Sequence, residues 1–168
     1  MIDNNFKTQV NQIKKQCKDK GGAIGIYRIT LENPDGTKEV KWYHNVITIS
    51  AFAMIMNNLT DPTPTNAMVA THCLLGSDAT AVTENDTVLG NETYRNAIAS
   101  MTSADNVGYF TAFFDQTETS GSYKEAGFVS DGAAGADTGI LISHVNIDVT
   151  KTLVQKLTID YTLTLVNA

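Results

Sequence analysis

The stretch "LVQKLTIDYTLTLV", Leu153 to Val166, alternates more strictly than any other part of the chain. Leu157, Ile159, Tyr161, Leu163 and Leu165 share one side; Lys156, Thr158, Asp160, Thr162 and Thr164 share the other. A period of two marks a strand with one face on a core and the other toward water. The composition extends that reading to the whole chain. There are 22 Thr residues, and a β-branched side chain fits a pleated surface.

Working outward, Ala23–Leu31 and Glu39–Val46 read as strands joined by Asn33-Pro34-Asp35-Gly36, which suits a type I turn. In the second strand Val40, Trp42, His44 and Val46 fall on the more apolar face, and Glu39, Lys41, Tyr43 and Asn45 on the other. After Thr48 the period lengthens. Phe52, Ile55, Met56 and Leu59 form a helical stripe, capped by Thr48 or Ser50 and closed near "DPTPT", Asp61 to Thr65. Further strands are expected at Met68–Leu75, Val107–Asp115, Tyr123–Val129 and Ile140–Asp148. Seven or eight strands separated by Gly-, Asn-, Asp- and Ser-rich loops predict a mainly β chain, an antiparallel β-sandwich of jelly-roll type with one short helix.

At 168 residues and 18.2 kDa the chain is long enough for one domain with a sizeable core. The net charge of −6 is unevenly placed: residues 1–20 hold five Lys against Asp3 and Asp19, leaving −9 on the rest. Phe6, Val10, Ile13 and Cys17 make one apolar stripe in that basic segment, ended by Gly21-Gly22. Residues 1–22 are therefore expected to be a helical docking arm, and residues 23–168 the sandwich. Phe6, Val10, Ile13, Lys14, Lys15 and Cys17 are its candidate partner contacts. A charge run is often only a solvated helix face, and that reading stands beside the docking one.

The acidic body argues against direct nucleic-acid binding, which needs a basic footprint. No apolar run reaches the 18 residues or so of a membrane span. The opening "MIDNNFKTQ" lacks the apolar centre of a secretory signal, so assembly in a cytoplasm is expected. Cys17 and Cys73 read as reduced core residues.

Candidate chemistry is thin. Asp137-Thr138-Gly139 matches the tripeptide of aspartic proteases, but "GAAGA" rather than an apolar strand precedes it, and one copy is present. His44, His72 and His144 lack the close ligand spacing of a zinc site and read as core or interface histidines. The carboxylates of Ser77–Asp86, and Asp131 with Asp137, miss the order of a calcium loop. No phosphate-binding or nucleophile-elbow motif occurs, and no cofactor or metal is expected. Glu92 and Arg95 are the most informative pair. At i, i+3 they fit either an exposed ion pair on a short helical turn or a buried fork that fixes a loop to the sheet.

The order of these segments resembles that of some tailed-bacteriophage virion proteins. The shared features run from "YHNVITISAFAMIMNNL" through "GSDATAVTENDTVLGNETYR", "KEAGFVS" and "GADTGILISHV" to "KLTIDYTLTLVN", roughly Tyr43 to Asn167. Ser143-His144 departs from the pattern, where Ala-Arg is expected, and the Lys-rich segment falls outside it. The resemblance implies a non-enzymatic structural protein of the virion, assembled in the host cytoplasm. It would be a capsid decoration (cement) protein on the head, or alternatively a tail, baseplate or fibre adaptor. Its partners would be other virion proteins and copies of itself, as in a trimer. A carbohydrate-binding jelly roll is the competing class; it needs an exposed aromatic platform from Trp42, Tyr43, Tyr94 or Tyr109.

Overall fold

The computed structural model describes residues 22–166. The expected arm, with Phe6, Val10, Ile13, Lys14, Lys15 and Cys17, lies outside the described residues. The elements in order are β1 (Gly22–Glu32), β2 (Lys38–His44), β3 (Val46–Ile47), α1 (Ile49–Thr60), β4 (Ala70–Gly76), β5 (Glu92–Ala104), β6 (Val107–Phe114), β7 (Gly121–Ser130), β8 (Ile140–Lys151) and β9 (Lys156–Val166). The strands form one sheet in the order β2-β1-β9-β6-β5-β4-β7-β8-β3, paired antiparallel throughout. Within it β4, β5 and β6 follow one another, and β7 returns to lie beside β4, which is a Greek key.

Two strands turn this sheet over on itself. β5 pairs with β4 up to Ala97 and with β6 from Ile98 onward. On the far side only Asn45 separates β2, which pairs with β1, from β3, which pairs with β8. The sheet is thus nearly closed. Lys41 Nζ donates to the Asp148 carbonyl at 2.9 Å, and the Tyr43 hydroxyl bonds the same backbone across this seam. Gly25 lies under the bend: a Cβ there would stand 1.9 Å from Asn45 Oδ1 and 2.7 Å from Tyr161 Cε2.

The core fills the space between the two halves. Tyr27, Phe114, Phe128, Leu157, Ile159 and Tyr161 are buried, with ring centroids of Phe128 and Tyr161 5.1 Å apart. Cys73 is buried and free, and burial pushes its thiol up. The alternation of β9 holds for Leu157, Ile159 and Tyr161 and then breaks. Leu165 is 51% exposed while Thr162 and Thr164 are buried. The register explains the Thr: it places Thr164 between Ile24 and Val107, longer side chains that shelter a short one.

The face assignment in β2 needs correction. In β2 it is Tyr43 that packs against the core, while Val40 and His44 are exposed. Trp42 lies half-buried on the outer side, its ring 5.8 Å from the Arg28 guanidinium. The reason is closure: the core takes the aromatic ring whose hydroxyl can also reach the Asp148 backbone. In α1 the cap is Thr48, whose hydroxyl accepts from Ala51 N. The buried positions are Ala51 and Met54, Met56 and Leu59 are exposed, and the partly exposed Phe52 borders an apolar cavity of about 80 Å³ together with Ile55, Phe110 and Tyr161.

Candidate functional site

The long loop between β4 and β5, residues 77–91, is held down by charge. Its anchor is Glu125 on β7, buried and opposite Gly76 in the register. Gly76 is needed here: a Cβ would come within 2.3 Å of Glu125 Oε1. Glu125 Oε1 accepts from Asn91 N at 2.8 Å and Asp78 N at 3.2 Å, and Oε2 accepts from Gly90 N at 2.8 Å. Three loop amides thus converge on one carboxylate, a charge-assisted arrangement worth more per bond than a neutral one.

The same carboxylate reaches His144 on β8. Glu125 Oε2 lies 2.8 Å from His144 Nε2, and Asp86 Oδ2 of the loop lies 2.7 Å from His144 Nδ1. Each ring nitrogen of His144 therefore meets a carboxylate oxygen, and the ring ties the loop at Asp86 to Glu125 on β7. Asp86 also accepts from the Thr83 amide and hydroxyl, at 2.9 and 2.7 Å. Burial alone would raise the Asp86 carboxyl; the Thr83 bonds and the His144 ring outweigh it and hold the group below the ordinary carboxylate range. Asn146 adds a further tie, accepting from Val82 N and donating to the Thr80 carbonyl. Leu89 then buries itself with Leu74, Val129 and Leu141 in a second apolar cluster. Leu74 points there while Cys73 and Leu75 point into the main core, as alternation requires.

The second anchor is the Glu92/Arg95 pair, which the structure brings together on β5 and not on a helical turn. Residues i and i+3 of a regular strand face opposite ways. A register shift cures this: Leu75 opposes Tyr94 while Gly76 opposes Glu92, so Thr93 is the extra residue of a bulge. Arg95 Nε and Nη2 fork onto Glu92 Oε1 and Oε2 at 2.5 and 2.7 Å, with side chains 5% and 2% exposed. Arg95 Nη1 donates to the Ala133 and Thr138 carbonyls and to Thr138 Oγ1. Glu92 Oε2 accepts from Asp137 N at 3.2 Å. The Asp-Thr-Gly tripeptide is therefore consumed by this clamp, its Asp137 in a left-handed turn with φ 56°.

The sequence reading found Glu92 and Arg95 and missed Asp86, Glu125 and His144. His144 is buried, as a core histidine is expected to be, but the two carboxylates it bonds lie 58 and 19 residues away in the chain. Only the break from Ala-Arg at Ser143-His144 hinted that this position differs.

Between α1 and the two pinned loops runs an open groove of about 510 Å³, lined by Ser50, Asn57, Asp61, Asn66, Thr87 and Gly139 among others. Its surface offers amides, hydroxyls and one carboxylate. The aromatic candidates are elsewhere. Tyr43 and Tyr94 pack on the core, and Trp42 and Tyr109 stand on β2 and β6 with β1 and β9 between them. Among the described residues, no group of three or more His, Cys, Asp or Glu has a metal-holding arrangement. No helix among them is long and apolar enough to cross a membrane. Comparison with known proteins finds no matching family model, no matching curated protein and no matching solved structure.

Proposed function

We propose that this chain is a non-enzymatic structural protein of a tailed-phage virion, a jelly-roll-type capsid decoration protein on the outside of the head. The observation that carries the reading is how the buried ionisable groups are used. Arg95 is committed to Glu92 and to loop carbonyls, and both nitrogens of His144 face carboxylates. A catalytic base must have a ring nitrogen within reach of substrate, and both nitrogens of His144 are taken up by carboxylates inside the fold. Spending these groups on fixing two long surface loops suits a protein whose task is to present a rigid surface to neighbours. The Greek key in β7-β4-β5-β6 fits a jelly-roll-type sandwich.

The test is rebinding. Purified protein added to undecorated heads is expected to bind and to raise their resistance to heat. Binding to tails or baseplates, with none to heads, would move the protein to the adaptor alternative. Binding to neither, together with strong glycan-array hits abolished by Trp42→Ala, would replace the virion reading with the carbohydrate-binding one.

A further inference from the structure

From Ile98 onward β5 has β6 on one side and, among the described residues, no strand on the other, because β4 leaves it at Ala97. This free edge reads "IASMTSA", Ile98 to Ala104, and holds no charged residue and no Pro. Ala99 to Ala104 are exposed, with Met101 48% accessible. Among the described residues no backbone hydrogen bond outside the ladder to β6 reaches it.

The opposite end of the same sheet is built differently. β2 carries Lys38, Glu39 and Lys41, and Lys41 and Tyr43 tie it to the Asp148 backbone. Charge and cover of that kind keep an edge strand from pairing with another chain. The β5 edge has neither.

Hairpin geometry tells which groups that edge offers. Asp105 and Asn106 form a two-residue loop between the paired Ala104 and Val107, with Asp105 at φ 52° as such turns require. The pair flanking the loop is hydrogen-bonded, and bonded pairs alternate along an antiparallel ladder. Thr102 opposite Tyr109 is then the next bonded pair. Met101 and Ser103, between and beyond, turn their N–H and C=O groups to the open side.

A second copy of this strand fits that row. Two identical antiparallel strands about a two-fold axis offer each other the same groups. With the axis at Thr102, Met101 of each copy meets Ser103 of the other, and the two Thr102 side chains lie opposite each other, a favourable cross-strand pair. Charge agrees. The chain carries a net charge of −6, so two copies repel as wholes. Like charges directly opposite also destabilise a strand pair, and this stretch presents none.

From this we infer that two copies of the chain join through their β5 edges, antiparallel about a two-fold axis near Thr102. The run β2-β1-β9-β6-β5 then continues into its own copy as one sheet. A contact of this length is small, so the pairing is weak and depends on concentration. The inference does not rest on the virion reading, because its test uses the purified chain alone.

Sedimentation equilibrium of the full chain, from about 1 µM to 1 mM, should show monomer giving way to dimer. Amide exchange by NMR reads the edge itself. The Met101 and Ser103 amides should slow at least about ten-fold between the dilute and the concentrated sample, while Thr102 and Ala104, bonded to β6, stay protected in both. Met101→Lys, a charge at an exposed edge position, should raise the dimer dissociation constant at least about ten-fold with circular dichroism unchanged. Ser103→Pro removes an outward N–H and no bond to β6, and should do the same. A chain that stays monomeric throughout overturns the inference. So does a trimer, or a dimer in which the Met101 and Ser103 amides exchange freely. Protection of those two amides in the dilute monomer, which would give the edge to another part of the same chain, overturns it as well.

Discussion

Arg95 shows what a single residue contributes here, because removing it strands a buried carboxylate. Arg95→Ala would leave Glu92, 2% exposed at its side chain, with only the Asp137 amide, and would free the Ala133 and Thr138 carbonyls. Breaking one side of a buried pair costs about 3–5 kcal/mol, so the urea midpoint should fall by most of the protein's margin. Arg95→Lys keeps the charge but loses the fork, and should recover less than half of the loss. Equal stabilities for Arg95→Lys and the parent would mean the fork is incidental. Asp86 gives a pH signature. Its carboxyl is held below the usual range in the folded state. It therefore contributes stability above the unfolded carboxylate value, about 4, and that stability is lost as pH falls through the lower folded value. Urea midpoints measured from pH 6 down to 2.5 should drop in that window, and Asp86→Asn should flatten this part of the profile. A variant profile parallel to the parent's would rule Asp86 out as the source.

Elements were legible in the sequence to the extent that one physical signal governed each. β9 was readable from alternation as far as Tyr161, where the two halves of the sheet face each other; beyond it α1 and the cavity replace the opposite half, and Leu165 emerges. The helix is readable from its period and from Thr48, but the period does not tell that Met56 and Leu59 of the stripe stay exposed while Ala51 and Met54 are buried. Period tells that a face is apolar and not what covers it. Glu92 and Arg95 were visible as a pair, yet the bulge at Thr93 that lets a strand present both on one face is a property of pairing with β4. The Asp86–His144–Glu125 group was invisible because it joins a loop, β7 and β8 through contacts 19 and 58 residues apart. Two substitutions probe elements directly. Thr48→Ala removes an N-cap that accepts from Ala51 N and also donates to the Leu141 carbonyl, both buried. It should cost about 1–2 kcal/mol, read from thermal unfolding. Gly76→Ala would drive a Cβ into Glu125 and to 2.7 Å from the Asn91 carbonyl. Overpacking of this kind costs about 1–3 kcal/mol, and amide exchange should quicken at Asp78, Gly90 and Asn91 first. Unchanged exchange there would disconnect Gly76 from the loop latch.

At the scale of the molecule, closure sets the order of folding. β1 pairs with β9 along its full length, from Gly22 opposite Val166 to Glu32 opposite Lys156, so the two ends of the described chain must find each other. The β7–β8 hairpin needs only the loop between Ser130 and Ile140 to close. Closing a loop costs entropy that grows with its length before any contact repays it. Chains dominated by such non-local pairings fold in about milliseconds to seconds. The local hairpin should therefore be formed at the transition state, and the β1–β9 ladder should be completed after it. Ile147 on β8 and Ile159 on β9 test this order, since both are buried in the main core. Ile→Val at either site costs about 0.5–1.5 kcal/mol, so equilibrium stability would barely tell the variants apart. Stopped-flow kinetics would. Ile147→Val should slow refolding, whereas Ile159→Val should leave refolding nearly unchanged and speed unfolding. The reverse pattern would place the nucleus in the long-range ladder and make closure the first event of folding.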